Sequence, residues 1–493
     1  IGLLGAAAAP ARAQVDDPVL PEDEADRLLA LELNEMHPRL FVTETELAEI
    51  RKAAQERGSF HQRALAAMQA RIKAGPKAGR EGPPNLARAS LAREAAMAWL
   101  ITEDPRYAQL AYEALVAIAD NDNDTGRIDA GNGLERAAVG MAFAITYDWC
   151  HAAWDSTQRQ RIAGLIRRGL DAWPSYGQAN FGGDQASYWV AVCRSAELVM
   201  MLSVIEQEER RERYDQLKAW LAQHVANAYG PSGFSQEGVG LVSYGGTYLL
   251  PAIMAMRSIG DRDLDDALAA CQFWKLAMFT GSSVITADAE RRFVQNGVSG
   301  STIGDRGWTS LLLATVPAEH LPHYLYFYDR HMGLQSPGED AGRFDPHAAG
   351  TTWAMLYYPV DATSVDPALT MRRGLADRQR GAFFFRNGWK DEDDVLVSIM
   401  ADTVHREKAW DQPEALQVNL IGYGHQFVGG PGKQRAARFY STLLVNGRID
   451  RGFDGIADGG RTVAYQADED HGYVIVDGGR QYDAIGVESV RRH

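Results

Sequence analysis

Apolar residues recur along most of this chain with the period of a helix, and close to residue 375 they switch to the period of a strand. From the capping-box pair Thr43 and Glu46 onward, one amphipathic segment follows another. The runs LAREAAMAWLI, RYAQLAYEALVAIAD, GLERAAVGMAFAITYDWCHAAW, TQRQRIAGLIRRGLDAW, QASYWVAVCRSAELVMMLSVI, ERYDQLKAWLAQHVANAY, GTYLLPAIMAMRSIG and DLDDALAACQFWKLAMF all read as helices. Several are apolar nearly all round, which predicts an inner ring of helices covered by an outer one. The runs GAFFFRNGW, DVLVSIMADTV, ALQVNLIGYGHQFV, RFYSTLLVNGR, RTVAYQAD and GYVIVDGG are short, β-branched or aromatic, and separated by Gly, Asn and Asp. They predict an antiparallel β-sandwich. The expected organisation is a leader over 1–36, an (α/α) toroid over 37–374 and a sandwich over 375–493. The last strand stops at His493 without a closing turn, so the sheet is expected to continue past it.

Composition narrows the partners. Of 493 residues, 46 % are apolar and 23 % charged, which is ordinary for a globular chain. A net charge of -15 argues against a nucleic-acid partner, whose phosphates need a basic surface. It leaves room for a polyanion held in a local cationic cleft. The start, IGLLGAAAAPARAQ, reads as the tail of an export signal with Ala11-Arg12-Ala13 before Gln14, so a periplasmic or secreted location is expected. No other apolar run is long enough to predict a membrane span. Cys150, Cys193 and Cys271 lie in apolar helical contexts and read as buried thiols. There is no P-loop, and the Gly-rich stretches do not lie between a strand and a helix.

The stretch with the most chemistry is PSGFSQEGVGLVSYGGTY (231–248). Glu237 lies on a Gly-rich loop, and Tyr244 follows where an apolar helix is expected to begin. A carboxylate and a phenol beside a helix N-terminus can move protons in a cleft. The plainer reading is a loop between helices with a buried Tyr.

Other pieces stand in a fixed order: the HPRLF opening (37–41), Tyr147-Asp148-Trp149 ending a long helix, the SQEG loop with its Tyr, Ile303-Gly304-Asp305, Phe385-Arg386-Asn387-Gly388-Trp389 opening the first strand, Asp411 ahead of ALQVNLIGYG, and STLLVNGR at 441–448. Together they resemble the heparinase II/III-type polysaccharide lyases. The resemblance implies a toroid, a sandwich, frequent dimers, and β-elimination on an acidic, uronic-acid polysaccharide or oligosaccharide. That reaction needs the uronate carboxylate neutralised, the C5 proton removed and the leaving O4 protonated. Tyr244 matches the family's acid/base Tyr. Tyr248, one turn on, either shares that role or packs in the core. His405 falls near the family's catalytic His on the sandwich rim, with Asp411 matching an Asp of the same segment. Arg406 and Lys408 either bind substrate carboxylates or form a solvated loop. Glu237 either orders its loop or positions the sugar.

Two departures from the family stand out. The helix that carries its carboxylate-neutralising Asn-Asn or Asn-His pair aligns with Ala186, Ser187 and Tyr188 here. Asn180, Gln185, Tyr188 or Arg194 would have to substitute, Gln185 by hydrogen bonding and Arg194 by charge. The family's zinc positions align with Trp410, Gly430 and Tyr440, none a usual ligand, and no Cys/His spacing places His425 in another site. No metal and no cofactor are therefore expected. Two rival readings are an inverting glycoside hydrolase using Glu237, Asp184 or Asp305, and an inactive glycan-binding homologue. The hydrolase needs two carboxyls roughly 6.5–9.5 Å apart.

Overall fold

A computed structural model describes residues 37–493 except 76–83, 122–125, 131–132, 181–185, 231–232, 236, 288–289, 295–306, 333–349, 360, 370–372, 391, 402–414, 430–440, 445–459, 469–470, 479–481, 483–486 and 488. The side chains of 174–180, 290–292, 332 and 350 also lie outside the description.

The helical part is a series of hairpins. Its helices are α1 (Glu44–Gln55), α2 (Phe60–Ala74), α3 (Pro84–Thr102), α4 (Pro105–Ala119), α5 (Gly133–Cys150), α6 (Ser156–Asn180), α7 (Tyr188–Ser203), α8 (Arg211–Ala228), α9 (Gly238–Ser258), α10 (Asp265–Ala270), α11 (Lys275–Ser283), α12 (Trp308–Leu312), α13 (Leu321–Phe327) and α14 (Gly350–Tyr357). The predicted capping box is present at α1: Thr43 accepts from Glu46 N, and Glu46 accepts from Thr43 N. Alternate helices are buried nearly all round, as the all-apolar runs require. They pack in the order α3, α5, α7, α9, α12 and α14, and α14 returns to α2 and α3, which closes the circuit. Helices α4, α6 and α8 cover it from outside. Helix α9 is long and apolar enough to cross a membrane, contrary to the sequence expectation, but it is largely buried within the protein and serves as a core helix.

One segment fastens this circuit. Asp148, at the end of α5, accepts from the backbone N–H groups of Arg39 and Leu40 at 3.2 and 3.0 Å, and lies 2.9 Å from His37 Nδ1. The Arg39 guanidinium donates to the carbonyls of Leu202 and Ser203 at the end of α7. Phe41 N donates to Ser258 Oγ at the end of α9, and Phe41 O accepts from Tyr357 on α14. Residues 37–41 therefore strap the C-terminal ends of four inner helices, α5, α7, α9 and α14, which must run parallel. A cation at the carbonyl end of α7 suits its dipole.

The sheets follow. A hairpin of β1 (Val284–Ala287) and β2 (Glu290–Phe293) precedes α12. A five-stranded antiparallel sheet runs in sequence order through β3 (Gly374–Asp377), β4 (Ala382–Arg386), β5 (Val395–Met400), β6 (Val418–Gly422) and β7 (His425–Val428). The turn Tyr423-Gly424 has positive φ at both residues, as a tight two-residue hairpin demands. A second sheet has the order β10-β9-β8, from β8 (Arg461–Ala467), β9 (Gly472–Asp477) and β10 (Arg491–Arg492). Alternation in β4 explains the layering. Ala382 and Phe384 join Phe234, Phe279 and Ile285 on the helical side, while Phe383 joins Val474 and Val476 of the second sheet. The Phe385–Trp389 motif thus closes the second strand of its sheet rather than opening the first.

Candidate active site

Two inner helices begin side by side. Helix α7 starts at Tyr188 behind its N-cap Ser187, and α9 starts at Gly238 immediately after Glu237. The Glu237 carboxylate crosses between them and accepts the Tyr188 N–H at 2.9 Å. The first N–H groups of a helix lack intrahelical acceptors, and the positive end of its dipole favours an anion. One carboxylate therefore caps α7 from the loop that launches α9. Glu237 is only 2 % exposed. Its own N–H donates to Ser235 Oγ, and Ser235 bridges to Tyr229. Burial, with the Glu237 charge second, pushes the Tyr229 phenol above its ordinary range. The turn depends on Gly233: its φ is +75°, and a Cβ there would lie 2.8 Å from Gln272 O.

The tyrosines form a short ladder beside this cap. The Tyr188 and Tyr244 rings meet edge to face at 5.5 Å, and Tyr244 meets Tyr248 in the same manner at 6.0 Å. Gly245 permits the approach, since a Cβ there would already touch Ala191 and Tyr188. Tyr248 is buried and belongs to the core, which favours the packing reading over a shared catalytic role. Tyr244 is half-buried, as are Gly240 and Leu241 on the same face of α9 and Tyr188 and Trp189 at the start of α7. These partly exposed residues cluster at the N-terminal ends of α7 and α9, away from the strap at their C-terminal ends. Helical side chains lean toward the N-terminus, so the Tyr244 ring leans toward the positive ends of parallel helices. Such a place suits an anionic ligand and a phenol that exchanges a proton.

Arg194 is a correction to the sequence reading. It is buried between α7 and α8, with Glu197 at 3.5 Å and its guanidinium 4.2 Å from the Trp220 ring centre. Glu197 is also held by Arg213 at 2.7 Å. A guanidinium neutralised inside the helical layer is not placed to receive a substrate carboxylate. Gln185, His405, Arg406 and Asp411 lie outside the described residues, as do the Asn180 side chain, Asp184, Asp305, and the metal-aligned positions Trp410, Gly430 and Tyr440. His425 is exposed at the start of β7. Trp189 and Leu241 escaped the sequence reading. Their signal was a pair of large apolar residues in the first turns of the helices that flank the SQEG loop.

The loop also meets the sheet. Phe234, three residues before Glu237, packs on Phe279 and Phe384 at ring distances of 5.3 and 6.3 Å. The loop that leads into α9 therefore lies against the five-stranded sheet.

No family model matches this sequence, and no curated protein matches it. Solved structures do. A crystal structure of heparinase III superposes with a TM-score of 0.50 at 12 % identity, covering 80 % of this chain. The fold is heparinase III-like. The chain spans 59 % of the length of that structure. A second heparinase III gives a TM-score of 0.48 at 10 % identity, covering 93 % of this chain and 71 % of the other. A mutant of the heparan sulfate lyase HepC from Pedobacter heparinus gives 0.46 at 12 %, covering 93 % and 70 %. At 12 % identity the first likeness is one of fold.

Proposed function

We propose that this protein is an exported polysaccharide lyase that cleaves an acidic, uronate-containing polymer by β-elimination, with Tyr244 as its acid/base. In this reading the closed circuit of helix hairpins is an (α/α) toroid, the two facing sheets are a β-sandwich, and the polymer lies along their seam. The observation that carries it is the half-buried Tyr244 near the N-terminal ends of α7 and α9, held against Tyr188, which Glu237 fixes in turn. Helix N-termini attract the acidic chain, and the phenol moves the proton between C5 and the leaving O4. His405 assists from the sheet side, and Gln185 neutralises the uronate. Glu237 serves by ordering the loop. Its engagement with Tyr188 N also counts against an inverting hydrolase, which would need it as a solvent-facing acid or base.

The test is a screen of uronate polymers, followed by the ultraviolet absorbance of the unsaturated product. Tyr244→Phe should reduce that rate by about 10²–10⁴-fold, the range of lost general acid–base catalysis. Unchanged turnover would remove Tyr244 from the mechanism. Saturable binding without product would reassign the protein as a glycan binder.

A further inference from the structure

A cavity lies on the face of the five-stranded sheet turned away from the helices. Phe384 of β4 points to the helical side and packs on Phe234 of the SQEG loop, while its neighbour Phe385 points the other way. Phe385, Val395 and Val397 floor a cavity of about 220 Å³ at the mouth between the two sheets, under the turn that joins β8 to β9. A Cβ at Gly472 would lie 2.4 Å from the Phe385 ring, so the absence of a side chain there leaves the ring its place. The cavity is smaller than the roughly 300–1,000 Å³ of sites for drug-sized ligands, which limits it to about one sugar-sized ring.

Its rim is rich in hydrogen-bond donors. Arg373 is exposed beside the cavity, and among the described residues no carboxylate pairs with its guanidinium. Its carbonyl accepts from Arg386 N, which fixes the backbone at the rim. The Asn387 Oδ1 accepts from Val395 N at 2.6 Å, so the donors of its amide NH₂ remain to serve a ligand. His471 adds an imidazole. Asp468, also in the lining, accepts the His471 backbone N–H at 2.6 Å and lies 3.8 Å from its imidazole, and its carboxylate keeps a negative charge at the rim. Arg386 is committed to the carbonyls of Ser282, Val284 and Gly388 and to Asp394. Beside the Asp468 carboxylate the cavity offers an apolar floor with a cationic fork and an amide donor above it. That pairing fits a flat ring bearing one carboxylate.

We propose that this cavity, on the face of the sheet turned away from Phe234 and the helices, is an accessory subsite for a single uronate residue. The choice of uronate rests on the lyase reading above. Sodium glucuronate titrated into the whole protein by calorimetry tests it, with glucose as the neutral control. Arg373→Ala should weaken glucuronate binding about tenfold or more, the scale of a lost charge-assisted hydrogen bond. Arg378→Ala, at an exposed position outside the cavity, should leave it unchanged, and glucose should bind far more weakly. Retained affinity in Arg373→Ala, or equal affinity for glucose and glucuronate, overturns the subsite. If no uronate polymer yields unsaturated product while glucuronate binding still depends on Arg373, the lyase reading falls and this site stands. If polymer is cleaved and Arg373→Ala binds glucuronate normally, the site falls and the lyase reading stands.

Discussion

His151 shows how much a single side chain depends on neighbours that the sequence does not place. It stacks on His37 at 3.6 Å. Burial, with the His37 charge second, pushes its pKa down to about 4. In the unfolded chain the imidazole titrates near 6.5. Between those values the unfolded state binds more protons, so stability should fall as pH drops from about 6.5 to 4. His151→Gln should flatten part of that slope in denaturant titrations run across the window. Arg194 teaches the same lesson about charge. Its spacing to Glu197 was visible, yet Trp220 and Arg213 come from the next helix, so the sequence displayed a cation without its engagement. Glu237 was legible as a loop-ordering carboxylate, but its acceptor role toward Tyr188 N required the two helix starts to be neighbours.

The start of α9 is where local structure meets chemistry. The helix begins at Gly238, earlier than the position of Tyr244 suggests, although four glycines and Pro251 lie within it. Tertiary packing overrides their weak propensity: Gly245 sits against α7, and Gly246 against Trp308. Removing the cap should loosen both helix starts together. Glu237→Ala should cost about 0.5–2 kcal/mol of stability, as cap losses do. It should lower turnover on the polymer more than it raises KM. Glu237→Gln keeps an acceptor and should retain most of both, which unfolding curves and steady-state kinetics can check. The long helices were readable because their apolar positions repeat over many turns. The hairpin of β1 and β2 was not, since four-residue strands inside a helical stretch carry too short an alternation to register. Strand β3 escaped for the same reason.

The helical circuit and the five-stranded sheet are joined by a few specific contacts. Arg386 reaches from β4 to the end of α11, where it donates to Ser282 O at 2.9 Å, and burial lowers its pKa to about 10. Arg380 donates to Asn227 O at the end of α8, and Tyr326 donates to Trp389 O. Arg386→Ala would strip Asp394 of its buried partner and should cost about 3–5 kcal/mol, read from denaturant unfolding. The order of helices and then strands was legible in the sequence. The way they join was not, because it depends on side chains about a hundred positions apart. The HPRLF strap carries that separation furthest: Phe41 is 217 positions from Ser258 and 316 from Tyr357. During synthesis at about 5–20 residues per second, the strap leaves the ribosome roughly 10–40 s before Ser258 does. Until then it can fasten only to α5 and α7, and α9 and α14 join a thread that was laid down before them.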